Sequence, residues 1–199
     1  MKHHALKTLL SVSLILCCAA ATLARGAQET KQSTASAAPS YRAEFLKEMD
    51  NLEKKLVSLA EAMPAEKYSW RPMEGVRSVG EVYTHMAGSN FNFTQFLGIK
   101  PPAGTGDVGK ITDKAKVVEM LKQSLAHVRQ AATNTPEAEW DKTVTYSGRN
   151  IVVREAFFRQ ALGMREHLGQ SIAYARMNRV VPPWTAEREA QQQKKPATQ

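Results

Sequence analysis

Apolar residues recur at steps of three and four in four separate segments of the chain, which is the spacing of one face of an α-helix. The first two segments follow good N-cap residues, Ser40 and Ser78, and the first and third stop at Pro64 and Pro136. The fourth runs over about residues 153–178. The apolar stripes are Tyr41, Phe45, Met49, Leu52, Leu56, Leu59 and Met63; Val82, Met86, Phe93 and Phe96; Val117, Leu121, Leu125, Val128 and Ala132; and Phe157, Ala161, Met164, Leu168, Ile172 and Ala175.

The segments between these stripes are loops and one short extended stretch. Gly98 is a plausible C-cap for the second helix, and a loop rich in Gly and Pro follows over residues 99–111. In residues 143–153, β-favouring residues flank Ser147 and Gly148, which allows a small hairpin before the last helix. Four amphipathic helices, one long crossover loop and hardly any strand predict an all-α fold, a four-helix bundle.

The N-terminal segment has the three parts of a secretory signal. Residues 1–7 are short and basic, residues 9–21 are almost entirely apolar, and Thr22-Leu23-Ala24 is the best cleavage triplet. The apolar stretch is too short to span a bilayer comfortably, although a membrane anchor that stays in place remains the alternative. We therefore expect a signal peptide over residues 1–24 and an exported protein, periplasmic or secreted, with no stable membrane anchor after cleavage.

Two further segments lie outside the predicted bundle. Residues 25–39 are rich in Ala, Ser, Thr and Gln and contain no large apolar residue, so we predict a flexible linker. Residues 185–199 are mostly Gln, Lys, Glu and Ala and predict a disordered tail. The folded unit is therefore expected over residues 40–184.

Charge and cysteine content exclude several classes of function. The chain carries 27 Lys and Arg against 19 Asp and Glu, a formal net charge of +8. The basic residues are scattered among acids, so with export we expect no nucleic-acid partner. The two cysteines, Cys17 and Cys18, lie inside the predicted signal peptide. A disulfide framework, a multi-cysteine zinc site and a cysteine nucleophile are therefore excluded from the mature chain.

Three histidines follow the predicted signal peptide: His85, His127 and His167. His85 and His167 border the apolar stripes of the second and fourth helices, and inward-facing histidines from different helices are how metal sites are built in bundles. The alternative is a pair of buried, hydrogen-bonded imidazoles, which spacing alone favours. His127 lies away from the best stripe and is expected to be peripheral.

Several local sequences resemble the DinB/YfiT-like family. The first half of the resemblance rests on PAEKYSWRP at residues 64–72 and GVRSVGEV at residues 75–82, which lead to His85. The second half rests on HLGQ at residues 167–170, YARMN at residues 174–178 and VPPW at residues 181–184. These separated motifs occur in the family's order and cover about residues 40–184.

The resemblance implies a four-helix bundle that holds a divalent metal ion, zinc or nickel, through three histidines. His85 matches the ligand on the second helix and His167 the final ligand on the last helix. Gly163 stands where the family carries the third histidine, one turn before His167. Arg179 is a second departure, at a helix end where family members often carry a capping Gly. With a ligand missing, Glu81 and His127 remain open as substitutes.

Two functional classes follow from these observations. The resemblance implies an exported metal-dependent enzyme, a hydrolase or a protein similar to thiol-transferases, that acts on an unidentified small molecule. The alternative is a non-catalytic extracytoplasmic binding or structural bundle that has lost the metal. Gly163 favours the second class, whereas His85 and His167 favour the first. A homodimer is compatible with either.

Overall fold

A computed structural model describes residues 40–194 as four long helices, a hairpin and a short fifth helix. The helices are α1 Tyr41–Ala62, α2 Val79–Gln95, α3 Lys114–Asn134, α4 Val153–Met177 and α5 Pro183–Gln193, and the strands are β1 Thr143–Tyr146 and β2 Arg149–Val152. The predicted signal peptide and linker, residues 1–39, and residues 195–199 lie outside the described residues. The prediction of an all-α, four-helix-bundle fold is confirmed.

The helices begin where capping side chains satisfy their first backbone N–H groups. Ser40 accepts from the Ala43 N–H at the start of α1, and Asp113 accepts from the Lys116 N–H at the start of α3. At α2 the full capping box forms, because the Ser78 hydroxyl accepts from the Glu81 N–H while the Glu81 carboxylate accepts from the Ser78 N–H. None of the helices in residues 40–194 is both long and apolar enough to cross a bilayer.

Each helix of the bundle packs against two neighbours. The packed pairs are α2 with α3, α1 with α3, α1 with α4, and α2 with α4, so α1 lies diagonally across from α2. The predicted loop at residues 99–111 is present, but it joins α2 and α3, which pack side by side. The chain crosses the bundle instead in residues 63–78 and 135–152, because these two links join diagonal helices.

The core is formed by the apolar stripes that the sequence predicts. Leu52, Leu56, Leu121 and Leu125 are fully buried at its centre. One end of the core holds an aromatic cluster in which Phe157 contacts Phe45, Phe93 and Trp140 at ring-centroid distances of 4.9, 5.1 and 4.8 Å.

A polar network crosses this apolar interior. The Gln160 side chain of α4 donates to Oδ1 of Asn90 on α2 at 2.7 Å, and Nδ2 of Asn90 donates to the Ser124 hydroxyl of α3 at 3.1 Å. The Ser124 hydroxyl in turn donates to the backbone carbonyl of Leu121 at 2.8 Å. All three polar side chains are buried. The network therefore ties three helices together through groups that have partners within the fold.

The short hairpin expected before the last helix is present. Strands β1 and β2 pair antiparallel, with Tyr146 opposite Arg149. The connecting residues Ser147 and Gly148 both have positive φ, 47° and 77°, as a two-residue turn that follows the twist of the strands requires.

Residues 185–193 differ from the predicted disordered tail, because Pro183–Gln193 forms α5. Pro183 occupies the first helical turn, where its missing N–H costs nothing, and Ala, Glu and Gln are good helix formers. Trp184 packs against the core, and the Lys55 ammonium lies 5.7 Å from its ring centroid. The Ala, Glu and Gln content of this segment therefore favours a helix, and the prediction of a disordered tail is wrong for residues 185–193.

Helices α2 and α4 end in the same hydrogen-bonded motif with different residues at its left-handed position. Gly98 has φ 76° at the end of α2, and Arg179 has φ 63° at the end of α4. In both, the next residue bonds back across the turn, Ile99 to the Thr94 carbonyl and Val180 to the Ala175 carbonyl. Arg179 therefore occupies a position that favours glycine.

Candidate functional site

The structure brings His85 and His167 together. Their ring centroids lie 5.0 Å apart, with the ring planes at 85° to one another. His85 is exposed and His167 is half-buried. The two histidines therefore meet at the edge of the bundle where α2 packs against α4, and the alternative of two buried imidazoles is wrong for His85.

A relay of three hydrogen bonds fixes the tautomer of neutral His167. The Arg77 carbonyl can only accept, so the Tyr174 hydroxyl donates to it at 3.2 Å and must accept from the Gln170 amide at 3.1 Å. The Gln170 carbonyl oxygen then faces His167 Nδ1 at 3.1 Å, which makes Nδ1 the donor. Neutral His167 therefore carries its proton on Nδ1 and leaves Nε2 with a free lone pair, the arrangement of a metal-binding histidine.

Sequence reasoning overlooked this relay, although a signal for it is present. Residues 167, 170 and 174 are spaced by three and four along α4, so their polar side chains share one face. Tyr174 is buried, and Trp70 meets its ring edge to face at a centroid distance of 5.4 Å. Trp70, which packs against the core, therefore also contacts the tyrosine of the relay.

The surroundings of His85 disfavour its charged form. Partial burial, the positive charge of Arg77 and the neighbouring His167 all lower the pKa of His85 below its usual value. A neutral imidazole can offer a lone pair to a metal ion at neutral pH. Arg77 was missed as a neighbour of His85, because it precedes the helix and has no place in a helical stripe.

The position of the third ligand is open. A Cβ built on Gly163 would meet no atom within 4 Å, so a longer side chain could be accommodated there. Within residues 40–194, no three His, Cys, Asp or Glu side chains are grouped closely enough to hold a metal ion. The residues present therefore fit two ligand positions and do not form the three-histidine site that the resemblance implies.

Glu81 does not replace the missing ligand. Its two oxygens accept from the Ser78 N–H at 2.6 Å and from the Arg71 guanidinium at 3.2 Å. The Ser78 N–H and the Arg71 charge hold the pKa of Glu81 below its usual range. The carboxylate is thus engaged as the helix cap.

His127 is also held elsewhere. Its Nε2 lies 2.9 Å from the Thr94 hydroxyl, and its ring packs 5.8 Å from that of Phe91. Thr94 follows His85 by nine residues on α2, about 13 Å along the helix axis. Burial lowers the pKa of His127. His127 therefore stays outside the pair, in agreement with its predicted peripheral position.

A groove of about 440 Å³ opens beside His85. It is lined by the loop before α2, by the first turns of α2 and by Gly109 of the loop between α2 and α3. The charged residues that line it are Arg71, Arg77 and Glu81. Its volume is in the range of small-molecule sites.

The comparisons with known proteins concern the same part of the chain. The sequence model of the DinB superfamily matches residues 48–171, which is more than half of the chain. No curated protein sequence matches the chain.

Two solved structures resemble the fold. A DinB-like protein from Bacillus cereus ATCC 10987 superposes with a TM-score of 0.64 at 15% identity and covers 70% of this chain and 93% of its own. A DinB-like protein from Bacillus subtilis, YjoA, gives a TM-score of 0.55 at 15% identity and covers 69% and 94%. At this identity the two likenesses concern the fold alone.

Proposed function

Because the chain belongs to the DinB superfamily, we propose that it is an exported protein that binds a divalent metal ion, zinc or nickel, through His85 and His167. The observation that carries this proposal is the pair itself: two imidazoles from different helices, 5.0 Å apart, one of them with Nε2 left free by the relay. Two protein ligands hold a divalent ion weakly and leave several coordination positions to water or a ligand.

The bound ion would act as a Lewis acid toward a water molecule or a thiol, which is the chemistry of a hydrolase or a thiol-transferase. The residues of this chain would orient the metal ligands and restrain their rings. The relay from Arg77 through Tyr174 and Gln170 holds the His167 ring and its tautomer, while partial burial and the Arg77 charge lower the pKa of His85. The groove beside His85 would hold the small-molecule substrate.

A second candidate is a non-catalytic extracytoplasmic binding module. Gly163 favours it, because replacing one of three ligands by glycine lowers metal affinity steeply. The two candidates differ in one measurable property, the affinity of the purified protein for zinc or nickel.

Metal titration with matched variants distinguishes the two candidates. We expect the parent to bind one equivalent of zinc weakly, His85→Ala to bind none at this site, and Gly163→His to bind much more tightly. Gly169→His is the matched control: it also removes an unobstructed glycine from α4, but it lies two residues beyond His167 and points away from the pair. It should leave zinc affinity at the parent value.

The outcomes separate clearly. If the parent binds no metal while Gly163→His does, the metal-dependent function is contradicted and the non-catalytic module is the candidate that remains. If Gly163→His gains nothing over Gly169→His, then position 163 does not face the pair and the three-histidine comparison fails. Removal of a helix-interior glycine stabilises either variant by up to about 1 kcal/mol without metal. Affinity, and not melting temperature alone, is therefore the quantity to compare.

The export part of the proposal rests on the basic start, the apolar run and the cleavage triplet of residues 1–24. Mass spectrometry of the protein from its native host should give a mature N-terminus near Arg25. An intact Met1 on a membrane-bound protein would contradict this part and leave the metal proposal untouched.

A further inference from the structure

One cation of the groove has no partner in the fold. Arg71 pairs with Glu81 at 3.2 Å, whereas Arg77, on the same wall, has no carboxylate within 4.0 Å among residues 40–194. Arg77 is exposed, and it lines the same groove as His85. The groove therefore presents an unpaired guanidinium next to an imidazole.

The backbone that carries Arg77 is fixed. Its carbonyl accepts from Tyr174, whose side chain is buried, and the next N–H, that of Ser78, donates to Glu81. The Arg77 side chain, which lines the groove, is thus carried by an anchored backbone. Because this backbone is already ordered, less conformational entropy is lost when a ligand binds.

The groove has no spare negative charge of its own. Glu81 is the one carboxylate among the residues that line it, and both of its oxygens accept hydrogen bonds, from Ser78 and from Arg71. Two arginines against one engaged carboxylate leave the groove positive. A positive groove attracts anions and opposes cations that approach alone.

We propose that the groove binds a small organic ligand through an oxyanion, a carboxylate or phosphate group held between the Arg77 guanidinium and His85. The planar guanidinium matches both oxyanions with paired N–H donors, and a neutral imidazole adds the one N–H that it carries. Gly75 and Gly109 line the same groove, and a Cβ on either would meet no atom within 4 Å, so this part of the groove is open to the rest of the ligand.

This inference rests on the proposed function for the role of the groove as the substrate site, and it adds the class of substrate. Anion binding itself needs no metal. A bound oxyanion would offset the Arg77 charge that faces His85, so oxyanion and zinc should each raise the affinity of the other.

The test uses the purified protein, stripped of metal on a chelating resin so that no anionic chelator remains, in a cationic buffer of low ionic strength. Inorganic phosphate and acetate are titrated separately, and backbone amide spectra report binding. We expect saturable shifts at residues 76–81 and 109. The tighter of the two probes identifies the preferred oxyanion.

Arg77→Gln should weaken binding about tenfold or more, since a charge-assisted hydrogen bond is lost. Arg77→Lys, which keeps the charge without the paired donors, should fall between it and the parent. Arg149→Gln is the matched control, because it removes the same charge from the hairpin, at the opposite end of α2. It should leave binding within about twofold of the parent, because screening weakens the effect of distant charges.

The inference is overturned if neither probe saturates, or if Arg77→Gln and Arg149→Gln weaken binding equally. Thermal unfolding of each variant confirms that it is folded. If Arg77→Gln is not folded, Arg77→Lys still tests the inference. Zinc binding without oxyanion binding overturns this inference alone. Oxyanion binding without zinc binding overturns the metal proposal and leaves the oxyanion site in place.

Discussion

The polar network of the interior and the groove beside His85 share helix α2, but they differ in whether the fold supplies partners for their polar side chains. In the interior, Asn90 and Gln160 are buried and bonded to one another and to Ser124. In the groove, His85 is exposed and makes no hydrogen bond to another side chain of residues 40–194, and Arg77 makes no ion pair there.

This difference separates stability from binding. A buried polar group must find its partner within the fold, because leaving it unsatisfied costs about 1–3 kcal/mol. A polar group at the surface loses little without a protein partner, since water serves instead, so it remains free for a ligand. Substitutions in the interior should therefore change the free energy of unfolding, and substitutions in the groove should change ligand affinity.

The largest effect is expected from the leucine core. Leu56→Ala and Leu125→Ala should each lower the free energy of unfolding by about 2–5 kcal/mol, because both side chains are fully buried. Urea denaturation measures the loss, and zinc affinity of the folded variants should stay at the parent value. A loss of a few tenths of a kcal/mol would mean that the core face is wrongly assigned.

A smaller effect is expected from the interior polar network. Gln160→Leu removes the donor to the Asn90 carbonyl oxygen and should lower the free energy of unfolding by about 1–3 kcal/mol. Gln123→Leu is the control, because Gln123 is exposed and its side chain, among residues 40–194, bonds only to Glu119. If both variants are equally stable by urea denaturation, the interior network contributes nothing.

The end of α4 should show a gain of about 1 kcal/mol. Arg179→Gly relieves a left-handed conformation that costs a residue with a Cβ about 1–2 kcal/mol, part of which the flexibility of unfolded glycine offsets. Gly98→Ala, at the same position of α2, should lose stability by a similar amount. Thermal unfolding compares the two, and changes of the same sign would refute the shared motif.

The smallest effect is expected in the pH dependence of stability. The folded-state pKa values of His85 and His127 lie below the ordinary 6.5, so below that pH the unfolded chain binds more protons than the folded chain. The free energy of unfolding should therefore fall as the pH is lowered through this region. His127→Gln should reduce the fall in denaturation curves collected at several pH values. An unchanged fall would show that His127 does not contribute.

The helices were predictable because their signals are local. Ser40, Ser78 and Pro64 mark helix boundaries within one or two residues of those observed, and apolar spacing identified the buried faces. The tail was the exception. In residues 185–193, composition alone suggested disorder, whereas the preceding first-turn proline and the packing of Trp184 favour a helix.

The site was predictable only in part. Spacing predicted that His85 and His167 each border an apolar stripe, the resemblance named them together, and the structure shows that the two edges face one another. The unpaired charge of Arg77 was not predictable, because it depends on which carboxylates reach the groove. Glu81 could have paired with either arginine, and the geometry of the capping box assigns it to Arg71.

The relay from Arg77 to His167 also has a consequence for motion. The Arg77 carbonyl, the Tyr174 hydroxyl and the Gln170 amide must all keep their orientation for the His167 ring to keep its own. A flip of that ring would put a carbon where Nδ1 lies and break its bond to Gln170, so the relay favours one of the two ring orientations.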